Sequence, residues 1–150
     1  MDGNWLKEGK KIMVYDVDVH RIEKQLDHLK QCAVVLNKLG EKPSSIENRF
    51  ALERALHLAV ECMIDVGTVM IDGFIMRDPG GYLDIVDILL DEKVIDQSVG
   101  NRVKEHIRLR DRLVRYYTEV DMDELKPFLK DSNLYRQFSE QVSDYLKKEL

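Results

Sequence analysis

Apolar residues recur along this chain at the spacing of helices. Between Val17 and Leu39, residues Ile22, Leu26, Leu29, Ala33 and Leu36 stand three or four positions apart, the interval that lines one face of a 3.6-residue turn. Gly40 and then Pro43 interrupt the pattern, so the first helix is predicted to stop near Leu39. Ser44 followed by Glu47 has the form of a capping box, in which two side chains satisfy the free N–H groups of a helix start. A second helix is expected from about Ser45 to Asp72, with a wide apolar arc through Phe50, Ala55, Leu58, Cys62, Val66 and Val69. An arc of that width predicts a central helix covered on most sides. Arg77-Asp78-Pro79-Gly80-Gly81 reads as a loop, because proline and paired glycines break helices. A short third helix, Tyr82 to Leu90, follows it. Asp96 is placed to cap a fourth helix through about Thr118, and Asp121 and Asp131 to start helical pieces that finish near Lys148, with Pro127 kinking or splitting them. Without sustained strand alternation, the pattern predicts an all-α, up-and-down bundle of about five helices, with residues 1–13 as a polar lead-in and 14–150 as the domain.

Composition narrows the setting. A chain of 150 residues has the size of one domain, and its 44% hydrophobic and 34% charged residues describe a globular protein with a heavily charged surface. No apolar run approaches the roughly 20 residues that span a bilayer, and Met1 to Lys11 lacks the apolar core of a secretory signal, so a cytoplasmic protein without a membrane partner is expected. Cys32 and Cys62 both fall on apolar helical faces, where a free thiol packs as a small hydrophobe. The net charge of −5 repels nucleic acid in bulk, but it is unevenly distributed. From Arg102 to Arg115 six Lys or Arg residues face only Glu105 and Asp111, a local +4 suited to an anion.

That basic stretch holds a misplaced charge. On the fourth helix Val103, Ile107, Val114 and Tyr117 share a face, with Leu113 beside them, and Arg110 falls in the middle of the stripe. A charge there costs free energy unless it is paired, hydrogen-bonded or wet. One reading pairs Arg110 with an acid of the second helix, Glu53, Glu61 or Asp65. The other sets it in a cleft or subunit interface, where its planar fork takes phosphate. Lys104, Arg108, Arg112 and Arg115 lie mainly on the opposite face, as a solvated surface or as further anion contacts. His106, four residues before Arg110, is either a packing residue or an imidazole aimed at the same place.

Other constellations carry less chemistry. Glu53, His57, Glu61 and Asp65 form an i, i+4 ladder without the paired Glu-x-x-His spacing of di-iron bundles, and read as a polar seam. Gly80-Gly81 lacks the Lys-Ser/Thr of a phosphate loop, and no Ser or Cys has a His at suggestive spacing. Neither metal nor cofactor is expected.

The run Arg110-Asp111-Arg112-Leu113-Val114-Arg115-Tyr116-Tyr117 resembles the motif of HepT-like proteins of the HEPN superfamily, Arg-Asn-x-Leu-Val-His-x-Tyr at the same spacing. Tyr15-Asp16-Val17-Asp18 before Arg21 to Leu26, the run Arg54 to Glu61 with Ile64 to Gly67 after it, and Tyr82 to Ile85 with Val94-Ile95 are similar to that family in order and spacing, so the likeness covers roughly Val14 to Leu146. The resemblance implies a bundle of five helices that forms a homodimer, with motif helices meeting at a cleft between protomers. It further implies a metal-independent endoribonuclease toxin acting on RNA, paired with a nucleotidyltransferase antitoxin that inactivates it by adding AMP to a tyrosine. Carried over by position, Arg110, Asp111 and Arg115 occupy the catalytic places, Arg110 on the scissile phosphate; Tyr117 is the residue modified, and Arg108, Arg112 and His106 are candidate RNA contacts.

Two positions depart from that motif: Asp111 stands for its Asn and Arg115 for its His. Cleavage through the 2′-OH needs a base for its proton, an acid for the leaving oxygen and a cation at the phosphate, and histidine serves the proton steps best. An arginine keeps its proton, so Arg115 can hold phosphate but cannot be the base. Asp111 is then the candidate base within the motif. The alternative is a catalytically inactive dimeric helical module that binds the nucleotidyltransferase, and a third possibility is a small-nucleotide binder using the same arginines.

Overall fold

A computed structural model of the protein describes residues 15–40 and 45–150, and every regular element among them is helical. In chain order they are α1 (Val19–Leu39), α2 (Ile46–Gly73), α3 (Tyr82–Asp91), α4 (Gln97–Arg115), α5 (Met122–Leu125) and α6 (Ser132–Glu149), with one 3-10 turn over Lys126–Phe128 between the last two. The expected lead-in and Ser44 lie outside the described residues. The cap of α2 is Ser45, whose hydroxyl accepts the Asn48 N–H at 3.0 Å. Asp18, Asp96 and Asp121 cap α1, α4 and α5 in the same way. Asp131 precedes α6 without a capping bond, because its carboxylate is turned to Arg102.

The order of contacts makes the bundle up-and-down. The start of α1 meets the end of α2 where Val17 presses on Gly73, so these helices are antiparallel. Arg110 of α4 meets Glu61 of α2 while Val120, just past α4, meets Arg49, so α2 and α4 also run in opposite senses. Helix α3 packs across both. Ile85 and Leu89 seat on Gly67 of α2, where any Cβ would fall 2.7 Å from Ile85, and Leu90 seats on Gly100 of α4. These close approaches bring Tyr82, at the start of α3, over α2 and α4 together. The core runs unbroken from Ile22 and Leu29 of α1 through Leu56, Met63 and Met70 of α2 to Tyr135 and Phe138 of α6.

Two sequence expectations change. Phe50, placed in the apolar arc of α2, is 62% exposed, and Ile46 one turn before it is 63% exposed; the arc instead centres on Leu52, Leu56, Met63 and Met70. Helix α4 stops at Arg115 rather than near Thr118, because Tyr116 leaves helical geometry (φ −126°, ψ 37°) and the chain turns so that Val120 is buried. Tyr117 therefore leaves the α4 stripe for an exposed turn.

Helices α2 and α3 both end with a paired closure. Met76 N–H bonds Ile71 C=O at 2.9 Å beyond α2, and Val94 N–H bonds Leu89 C=O at 2.9 Å beyond α3. Such closures place one residue in the left-handed region, usually glycine, yet here the residues are Ile75 (φ 55°) and Lys93 (φ 61°). A β-branched residue is strained there, by about 1–2 kcal/mol. Ile75 is 60% exposed, so its side chain returns little through burial. Ile75→Gly is expected to stabilise the protein by up to about 1 kcal/mol after the unfolded chain's gain in freedom is subtracted, read as a higher urea midpoint at unchanged slope. An unchanged or lower midpoint would refute the strain.

Candidate functional site

The site is assembled around Glu61, on the side of α2 that faces α3 and α4. Arg110 Nε donates to Glu61 Oε1 at 2.8 Å, and the Tyr82 hydroxyl donates to Oε2 of the same carboxylate at 3.1 Å. The Arg110 guanidinium lies over the Tyr82 ring, 4.7 Å from its centroid, so it is held both by its Nε edge and by its face. Nη1 reaches Asp111 Oδ1 at a long 3.3 Å, and no acceptor among the described residues engages Nη2. The pairing with an acid of α2 is present, and the residue also lines a cleft. Of its three candidate partners it takes Glu61, and its outer edge remains on a cleft.

That cleft, about 570 Å³, is lined by Gly80 to Asp84 on one side and by Ile107, Arg110, Asp111 and Arg115 on the other. Its glycine rim is pinned: Arg77 forms a two-pronged ion pair with Asp84 at 2.8 and 2.9 Å, and Gly80 N–H donates to the same carboxylate at 2.8 Å. With the Arg77 fork first and the Gly80 N–H second, the Asp84 carboxyl is pulled down to about 2 and stays ionised. Positions 110 and 115 lie 140° apart on an ideal helix. They share the cleft because it sits at the C-terminal end of α4, where the wall wraps from one face toward the next.

The other candidates are dispersed. Arg108 is exposed outside the lining of the cleft. Arg112 is outside the lining of the cleft: its fork grips Glu124 at 2.7 and 3.0 Å and ties the end of α4 to α5. His106 is fully buried, its ring set edge-on against Phe128 at 4.9 Å and Tyr135 at 5.6 Å, and it presents nothing to RNA. The 40° between positions 106 and 110 is enough to point one into the α4–α6 seam and the other toward α2 and α3. Tyr117 is 66% exposed.

The local +4 is also smaller than it reads. Arg102 pairs with Asp131 and Glu105, Lys104 with Asp87, Arg110 with Glu61 and Arg112 with Glu124. Arg108 and Arg115 are the two members of the strip that form no ion pair among the described residues, and Arg115 lines the cleft. The field at the site thus comes from Arg115 and the outer edge of Arg110.

Two members of the ladder on α2, Glu61 and His57, stand beside Arg110, while Glu53 pairs with Arg49 at 2.9 Å. His57 Nε2 lies 3.6 Å from Glu61 Oε1, the oxygen that also holds Arg110, and Arg54 Nη1 lies 3.3 Å from His57 Nδ1. Burial is the largest influence on His57 and lowers its pKa; Arg54 and Arg110 lower it further, against the pull of Glu61. Asp65, one turn on, is raised by burial and by Glu61. The helical spacing of these four residues was visible in the sequence; which acid Arg110 would choose was not.

The profile of the family described as Ribonuclease HepT-like matches residues 22–144. The chain belongs to this family. The HepT-like chain is 40% identical over 138 residues to a Bacillus subtilis protein named "Putative RNase YutE", covering 91% of this chain and 95% of that one. The solved structure of YutE, described as a cytosolic protein of unknown function, superposes with a TM-score of 0.83 at 38% identity over 91% of this chain and 96% of that one. A tri-AMPylated HEPN toxin of Shewanella oneidensis, in complex with an MNT antitoxin, superposes with a TM-score of 0.76 at 17% identity over 83% of this chain and 97% of that one. At that identity the likeness to the toxin is one of fold, and it agrees with the all-helical bundle of the HepT-like chain. Among the described residues no helix is long and apolar enough to cross a membrane.

Proposed function

We propose that this HepT-like chain is an endoribonuclease toxin that acts as a homodimer without a metal cofactor and is silenced by a nucleotidyltransferase antitoxin. The observation that carries the reading is the Arg110 guanidinium, fixed by Glu61 and Tyr82 with its outer edge toward a cleft that Arg115 also lines. Such an edge matches two oxygens of a phosphodiester, and fixing it beforehand removes the ordering cost at the moment charge develops. The homodimer reading is supported by apolar side chains left uncovered on three helices: Phe50 on α2, Leu83 on α3 and Val114 on α4. Tyr117 is the residue proposed to receive AMP; its exposure in the turn after α4 leaves it open to a second enzyme, and the Shewanella oneidensis toxin in complex with its antitoxin is itself AMPylated.

A second reading has its own observation. No imidazole lines the cleft, since position 115 is arginine. On that reading the chain keeps the fold and the partner surface as an inactive module. Purified protein incubated with single-stranded RNA in excess EDTA distinguishes the two. Cleavage by the wild type supports the toxin. An inert wild type beside an active Arg115→His variant supports the module.

A further inference from the structure

We propose that His57, outside the family motif, is the general base of this ribonuclease and that Glu61 positions it together with Arg110. The inference rests on the nuclease reading above and adds the proton acceptor that the motif of this chain lacks. Glu61 Oε1 accepts from Arg110 Nε at 2.8 Å and stands 3.6 Å from His57 Nε2, so one carboxylate oxygen separates a phosphate-binding cation from an imidazole. Antiparallel packing sets the level of that imidazole. Glu61 stands opposite Arg110 and Arg49 opposite Val120, which places His57, one turn before Glu61 on α2, level with the last turn of α4. That is the height at which position 115 stands, approached from the neighbouring helix.

The ring's protonation follows from its neighbours. Arginine only donates, so the Arg54 contact at 3.3 Å makes Nδ1 the acceptor nitrogen and leaves the proton on Nε2, facing Glu61. The groups that face the ring are Arg54 and Glu61 of α2 and Arg110 of α4, with Tyr82 of α3 held behind Glu61. Their balance with burial keeps the imidazole neutral near pH 7, the form a base requires. Its side chain is 27% exposed and lies beyond Glu61, outside the lining of the cleft, so the proposal requires the RNA to extend past Arg110 toward Arg54 on α2.

The step balances within the substrate. As a phosphodiester displaces Arg54 onto its own oxygen, Nδ1 takes the 2′-OH proton, O2′ attacks phosphorus, and the bond from phosphorus to O5′ breaks. The products are a 2′,3′-cyclic phosphate and a 5′-hydroxyl; the leaving oxygen takes a proton from water, and the His57 imidazolium returns one to water. In-line displacement needs its entering and leaving oxygens on opposite sides of phosphorus. Arg110 stands between the two flanks, with Glu61 at its Nε edge and His57 beyond that carboxylate, and with Asp111 at Nη1, beside Arg115 in the lining of the cleft.

The test uses full-length wild type, His57→Gln and His57→Ala on a mixed-sequence single-stranded RNA in EDTA. Loss of a general base lowers kcat by about 10²- to 10⁴-fold, and KM for the RNA is expected to hold. In the wild type kcat falls as pH drops through the His57 titration, below the usual histidine value; that limb disappears in His57→Gln, and free imidazole restores part of the rate to His57→Ala. An active wild type with an equally active His57→Gln overturns this inference and leaves the nuclease standing. An inert wild type that still unfolds cooperatively on heating overturns the nuclease reading, and the role of His57 with it.

Discussion

Arg110→Ala is expected to reduce RNA cleavage by about 10³- to 10⁵-fold, the range for an arginine that meets the charge of a phosphoryl transition state. The geometry adds a sharper expectation for Arg110→Lys. A lysine ammonium can reach Glu61 but has no second edge, so it either neutralises that acid or meets phosphate, and the variant should recover less than a tenth of the lost rate. Folding is a separate matter. Glu61 retains the Tyr82 hydroxyl and is itself partly wet, so neither variant should lower stability by more than about 1 kcal/mol. Single-turnover cleavage rates beside urea midpoints decide the case. A rate loss matched by a large stability loss would make Arg110 a structural pin, and full activity in Arg110→Ala would remove it from the chemistry.

How far the site was legible in the sequence depends on which residues had to meet. The helices α1, α2 and α4 were readable because local periodicity and Asp or Ser caps act within a few residues. The family motif supplied Arg110, Arg115 and Tyr117 as positions. What spacing on one helix cannot supply is the partner on another. Glu61 was one of three acids a turn apart on α2, and only the docking of α3 on Gly67, which brings Tyr82 within reach, selects it. His106 and Arg112 lie outside the cleft for the same reason. A helical wheel gives angle but not neighbour, and the neighbours prove to be Tyr135 and Phe128 for one and Glu124 for the other. The end of α4 escaped because nothing local stops a helix at Tyr116; burial of Val120, held through its carbonyl by Arg49, turns the chain there.

The stability of the protein is expected to fall by about 3 kcal/mol between pH 7 and pH 4 on account of His106 alone. The ring has no exposed surface; it donates from Nδ1 to the Arg102 carbonyl at 3.0 Å and keeps Nε2 3.5 Å from Asp131 Oδ2 without a hydrogen bond. Burial, the largest influence, pushes its pKa down to about 4 against the opposing pull of the Arg102 carbonyl and Asp131. In the unfolded chain it titrates near its ordinary 6.5. Between those values the unfolded chain binds a proton that the native state refuses, so this contribution is complete above 6.5 and is lost as pH falls toward 4. At about 1.4 kcal/mol per unit the difference reaches the stated size, or a drop of about 10 °C in Tm for a domain of this length. Other groups add their own acid dependence, Asp84 and Glu124 among them, since both are held ionised by arginine. The comparison must therefore be between wild type and His106→Leu across pH 4 to 7. The leucine variant should show a much flatter profile in that window while keeping the α4–α6 seam packed. A variant as pH-sensitive as the wild type would mean that His106 takes its proton in the folded state, paired with Asp131.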